Sequence, residues 1–154
     1  MTMPNATLGT LLRSLLEALD PAVEAQYQAL GLDYRPRFTP VIRALDREGP
    51  LRIKDIADRS GLSHSAVSQT VSALVAGKWV ALVPGEDSRE RIVHLTGYAK
   101  AQLPRLKRQW RVTAKAAASL DEDLGLSLEL VLRDALAALE RESFTSRLVR
   151  ANKA

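Results

Sequence analysis

The sequence predicts a mainly α fold in which helices pack on helices and one small β-hairpin sits past the middle of the chain. Three observations carry this expectation. Leucine and alanine dominate an apolar fraction of 46%, and aromatics are only 5%, a balance that suits helix packing better than a β-sandwich. Apolar residues recur at helical spacing along much of the chain, as in Leu8, Leu11, Leu12, Leu15, Leu16 and Leu19. Two runs rich in β-branched residues, Val80 to Val83 and Arg91 to Leu95, flank the turn-forming segment PGEDSRE, which is the pattern of a hairpin.

The elements follow in order. The leucine stripe forms a first amphipathic helix. Asp20-Pro21 interrupts it, with a kink or a second helix from Pro21 to about Leu30, closed by Gly31. Pro36 disfavours helix at Arg35, so residues 31–38 form a connection. A short helix carries Val41, Ile42 and Leu45 inward and ends at Gly49-Pro50, and Leu51 to Ile53 supply a very short strand. Ile53, Ile56 and Ala57 mark a helix that stops at Gly61. Ser63 caps the next one, whose Val67, Val71 and Leu74 share a face. After the hairpin, Thr96-Gly97 opens a long helix with Leu103, Leu106 and Trp110 inward, bent at Pro104. Residues 121–127 form a break, and Ser127 caps a last helix.

Bulk properties exclude several classes. A length of 154 residues suits one structural domain. The absence of cysteine removes disulfides, thiolate metal sites and cysteine-based oxidant sensing. No stretch approaches the roughly 20 apolar residues of a membrane span, and the N-terminal segment lacks the basic region of a secretory signal. The expectation is therefore a cytoplasmic protein with no membrane partner. His64 and His94 have no ligand-spaced companions, His94 is expected to point outward, and Ser63 and Ser65 have no base nearby in sequence. Neither a metal, a cofactor nor an enzymatic site is expected. Residues 51–111 hold 11 Lys+Arg against 5 Asp+Glu, whereas the rest hold 11 against 13. A basic middle between acidic flanks fits a nucleic-acid footprint, and on its own fits an ordinary solvated surface equally well.

Two short helices joined by a glycine turn and followed by a basic hairpin are the parts of a winged helix-turn-helix. Ala57 allows close helix approach, Gly61 permits the turn, and Val67 locks the crossing. The second helix carries no charge from Ser63 to Ala76. Opposite its apolar face stand His64, Ser65, Ser68, Gln69 and Ser72, short or medium polar side chains able to read base edges. A solvated helix would ordinarily use Lys and Glu there. Arg89 and Arg91 stand on and just beyond the hairpin tip, where they can enter a minor groove or bind phosphates, with Asp87 as an orienting partner. Arg52 and Lys54, just before the first helix of the pair, are candidate phosphate contacts.

The run from Gly49 to Gln109 resembles the MarR family of regulators. The motifs that carry the resemblance are LRIKDIADRSGLSHSAVSQTVSALVAGKWV, the Asp-x-Arg element at Asp87 and Arg89, and the LTG at Leu95 to Gly97. The segments LGLDYRPRF and GPLRIKDIA also resemble a branch that precedes an acetyltransferase, a domain for which the remaining residues leave no room. Thr70, Pro21 and Pro104 depart from the family pattern. The resemblance implies a homodimer on palindromic duplex DNA, acting as a repressor released by a small anionic or phenolic effector or by oxidation. Position by position, base contacts carry onto His64, Ser65, Ser68 and Gln69, flanked by Ser63 and Ser72, and wing contacts onto Arg89 and Arg91. An effector pocket would involve Tyr34, Arg35, Arg37 or Phe38. Residues 36–96 would form the winged lobe, and residues 1–30 with 97–154 the helical dimerisation region, where Leu8, Leu12, Leu15, Leu132, Leu136 and Leu139 need a partner surface. The reading kept beside this one is a winged-helix module for protein–protein contact without DNA affinity, favoured by Glu86 and Glu90 in the hairpin loop.

Overall fold

Thr7 caps the first helix by accepting a hydrogen bond from the Thr10 N–H at 3.2 Å. From there α1 runs Leu8–Ala29 in the computed structural model, which describes residues 5–87 and 89–153. Pro21 lies inside this helix, so of the two alternatives, a kink or a second helix from Pro21, the second helix is not the one formed. An interior proline removes one i→i−4 hydrogen bond and costs about 3 kcal/mol. The remaining bonds on either side hold the segment helical, and Tyr27, buried against Tyr34 with ring centroids 4.7 Å apart, anchors its second half. The cap residue is Leu30 rather than Gly31. Gly31 follows it with φ +69°, and the Leu32 N–H turns back to the Tyr27 carbonyl.

A 3-10 turn, Pro36–Phe38, leads into α2 (Thr39–Glu48), which buries Val41, Ile42, Ala44 and Leu45. Strand β1 is two residues long (Leu51–Arg52), and α3 follows at once (Ile53–Ser60). Gly61 ends α3 in the left-handed region at φ +69°, where a side chain would be strained. Ser63 then caps α4 (His64–Ala76) by accepting from the Ala66 N–H at 3.1 Å. Val67, Val71 and Leu74 are essentially inaccessible, as the periodicity requires, and Thr70 is buried with them.

At the end of α4 the left-handed position is taken by Lys78 (φ +61°) rather than by its glycine neighbour. The Lys78 N–H donates to the Val75 carbonyl and the Trp79 N–H to the Leu74 carbonyl, the paired bonds of a Schellman turn. Gly77 serves another purpose. A Cβ built there would stand 3.0 Å from Trp79 Cδ1, so the indole packs where a side chain would be.

Strands β2 (Val80–Pro84) and β3 (Arg91–Leu95) form the expected hairpin, with Val80 opposite Leu95 and Pro84 opposite Arg91. β1 adds to the other side of β3, with Leu51 opposite Val93 and Arg52 opposite Ile92, giving an antiparallel sheet in the order β1-β3-β2. Val93 at its centre is buried; His94 is half-buried rather than pointing freely outward, because β3 is the middle strand.

Thr96 joins the hairpin to the next helix. Its hydroxyl donates to the Lys78 carbonyl at 2.7 Å and accepts from the Ala99 N–H, capping α5 (Gly97–Leu124). α5 continues through Pro104 and through Asp121 to Leu124, so the expected break is confined to Gly125–Ser127. Acidic residues are compatible with helix; the interruption comes at Gly125, with φ +69°. Asp121 meanwhile accepts from the Leu128 N–H across the turn.

The chain divides into two compact units, residues 1–109 and 110–154. The second holds the end of α5, then α6 (Leu128–Arg141, capped by Ser127) and one helix not anticipated from sequence, α7 (Phe144–Ala151). Ser143 caps α7 by accepting from the Ser146 N–H, and Arg147 donates to the Ala138 and Glu142 carbonyls. No residue of α6 or α7 is buried. Leu130, Val131, Leu132, Leu136 and Leu139 on α6, and Phe144, Leu148 and Val149 on α7, are all exposed.

Candidate nucleic-acid interface

Three features of the first unit build the candidate surface: the outer face of α4, the tip of the β2–β3 hairpin, and the start of α3. On α4, burial of Val67, Val71 and Leu74 turns the opposite side outward. His64, Ser65, Gln69 and Ser72 are exposed and Ser68 is half-buried. Two of the serines are engaged by the helix itself. Ser63 is the N-cap, and Ser72 returns its hydroxyl to the Ser68 carbonyl at 3.0 Å. Among the described residues, the side chains of His64, Ser65 and Gln69 make no hydrogen bond or ion pair, which leaves their donors and acceptors available to an incoming ligand. The first turn of α4 contains no acidic residue that would repel phosphate.

In the hairpin loop, the Gly85 N–H donates to the Glu90 carbonyl and the Glu90 N–H to the Asp87 carbonyl. The Asp87 carboxylate accepts from the backbone N–H of Arg89 at 3.0 Å. Arg89 and Arg91 are exposed, and Arg91 Nη1 approaches the Glu90 carbonyl at 3.5 Å.

At the start of α3, Arg52 is held by two carboxylates. Its Nε donates to Asp55 Oδ2 at 2.8 Å and its Nη1 to Glu90 Oε1 at 3.2 Å. The two hydrogen bonds keep its guanidinium more basic than usual, and the bond from Arg52 draws the Asp55 carboxyl below the usual aspartate range. Arg59 pairs with Glu48 in the same way and is also made more basic. Lys54 is exposed and has no ion-pair partner among the described residues. In sequence Glu90 is only an acid of the hairpin loop, since nothing local ties it to an arginine 38 residues away.

The four residues read as an effector pocket divide into two kinds. Tyr34 and Phe38 are core residues, 1% and 5% exposed, in edge-to-face contact with each other and, for Tyr34, with Tyr27 and Trp79. The Tyr34 hydroxyl bonds to Thr39. Arg35 and Arg37 are exposed, Arg35 facing Glu24 at 3.9 Å and Arg37 lying over the Phe38 ring. Among the described residues, no helix is long and apolar enough to cross a membrane.

Residues 37–90 match the MarR family. No curated protein matches the chain by sequence. Solved structures do. The M. tuberculosis transcriptional regulator MOSR, in complex with DNA, is 17% identical with a TM-score of 0.66, covering 97% of this chain and 100% of its own. The PcaV regulator of Streptomyces coelicolor, with its natural ligand, is 21% identical at a TM-score of 0.65, covering 90% and 98%. A MarR transcriptional regulator from Methanosarcina mazei Go1 is 18% identical at 0.63, covering 85% and 97%. At these identities the likeness establishes the fold, which is that of a winged helix-turn-helix carried between flanking helices.

Proposed function

We propose, from the premise that residues 37–90 are a MarR-family winged helix-turn-helix, that this chain is a dimeric, sequence-specific DNA-binding regulator of transcription. The observation that carries the proposal is the outer face of α4. A polar helix with exposed His64, Ser65 and Gln69, free of charge along its length, suits base-edge readout in a major groove and would be an unusual choice for a solvated surface. Arg89, on the adjoining hairpin, supplies the phosphate or minor-groove contact, with Arg91 beside it and Lys54 nearer the helix pair.

The dimer follows from exposed apolar side chains. On α1, Leu8, Leu11, Leu12, Leu16 and Leu19 are between 40% and 70% exposed, and α6 and α7 present similar stripes. Stripes of this extent ordinarily mark interaction surfaces. A two-fold assembly of residues 1–30 and 97–154 covers them and sets two α4 helices on half-sites about one DNA turn apart, roughly 34 Å. Such a protein acts on a palindromic operator in the cytoplasm, as a repressor and not an enzyme. Release by a small anionic or phenolic effector suits the exposed guanidiniums of Arg35 and Arg37 beside the aromatic pair Tyr34 and Phe38.

Selection of bound sequences from a pool of random duplexes tests the reading. A two-fold symmetric consensus with half-sites one turn apart is the expected product. Absence of enrichment over the starting pool rejects it and leaves the lobe as a protein-contact module.

A further inference from the structure

The wing reaches beyond the part of the sheet that supports it. Strand β1 is only two residues long, and its pairing with β3 ends at Ile92. The hairpin continues past that point through Pro84 and Arg91 to the loop that carries Arg89. An open groove separates this stretch from the lobe, with Pro50, Arg52 and Asp55 on one side and Pro84, Gly85 and Glu86 on the other. Close packing therefore does not hold the hairpin there, and a lone two-stranded ribbon is free to twist and swing.

One set of charges spans the gap. Arg52 grips Asp55 with Nε at 2.8 Å and Nη2 at 3.4 Å, fixing the guanidinium to the first turn of α3, while Nη1 reaches Glu90. Glu90 is tied into the loop through both of its backbone groups, to Gly85 and to Asp87. It also packs over Gly85, where an added Cβ would meet the Glu90 Cβ at 2.9 Å. Asp87 in turn holds the Arg89 N–H. A continuous line of contacts thus runs from α3 to the arginine at the tip.

We propose that Arg52 is a positioning residue: through Glu90 it sets the angle of the wing and so places Arg89 on DNA, instead of touching phosphate itself. This rests on the DNA-binding reading above. An exposed ion pair adds little to global stability. Its effect falls on the orientation of a segment that few other contacts restrain.

A double-mutant cycle with duplex DNA from the selection tests the idea. Arg52→Gln weakens binding about five-fold in the otherwise unchanged protein and less than two-fold when Arg89→Ala or Glu90→Ala is already present, because coupled residues are not additive. An equal loss in all backgrounds, with a salt slope shallower by about one unit, identifies Arg52 as a phosphate contact and overturns the proposal. Amide hydrogen exchange of the free protein gives a second, DNA-independent arm. Arg52→Gln speeds exchange at Gly85 and Glu90 while the α4 amides exchange as before. If the protein binds no duplex, a faster Gly85 and Glu90 exchange still upholds the strut, and unchanged exchange removes it.

Discussion

The indole N–H of Trp79 donates to the backbone carbonyl of Asp33 at 2.9 Å, joining the root of the wing to the segment that follows α1 across 46 positions of sequence. Around this bond the rings of Tyr34 and Tyr98 meet Trp79 edge to face, at 5.1 and 5.0 Å. Trp79 is 1% exposed, and its bond to Asp33 lies at the edge of the core, since Asp33 itself is exposed. Trp79→Phe empties volume and removes the donor to Asp33. The expected loss is on the order of 2–4 kcal/mol, measured as a lower denaturant midpoint.

The end of α4 offers a pair of opposite outcomes. Lys78 holds φ +61° without being glycine, whereas Gly77, at an ordinary φ, is packed against Trp79. Lys78→Gly relieves the left-handed strain and raises stability by about 0.5–1 kcal/mol. Gly77→Ala crowds the indole and lowers it. Chemical denaturation of the two variants side by side checks the sign of each.

The phosphate and base-edge contacts proposed above differ in their expected salt dependence. Arg89→Ala weakens binding to all duplexes alike and makes the salt slope shallower by about one unit. Gln69→Ala leaves the slope in place and reduces discrimination between the selected site and its single-base variants by about 1–3 kcal/mol where the contact is bidentate. Binding titrations at several salt concentrations read both.

Acid should loosen the start of α3. The folded Asp55 carboxyl titrates below the ordinary aspartate value because Arg52 hydrogen-bonds its charged form. A depressed folded value means that stabilisation is complete above the unfolded pKa, about 3.9, and is lost as pH falls through the lower folded value. Arg52→Gln removes this component, so its unfolding free energy changes less steeply with pH over that acid window. Urea titrations from about pH 6 down to pH 2 measure the difference.

A charge placed in an exposed apolar stripe tests the assembly. Leu12→Glu on α1 and Leu136→Glu on α6 touch no buried core, since the two side chains are 40% and 64% exposed. Each variant is expected to remain folded by circular dichroism and to sediment as a monomer at concentrations where the unaltered chain forms the proposed dimer.

Local order was legible in the sequence wherever the deciding forces act within a few residues. The capping serines 63 and 127, the glycine turn at Gly61, the presence of the hairpin and the burial of Val67, Val71 and Leu74 follow from periodicity, turn chemistry and hydrogen bonds spanning three or four positions. The helix Phe144–Ala151 shows the limit of that logic: its Ser143 cap was present in the sequence, but its apolar stripe is short. Tertiary structure decided the rest. It kept α1 whole through Pro21, placed Tyr34 and Phe38 in the core while Arg35 and Arg37 stayed outside, and joined Arg52 to Glu90. Which of several arginines meets a given carboxylate depends on how separate elements are folded back on one another. Such encounters across tens of residues leave no trace in local spacing.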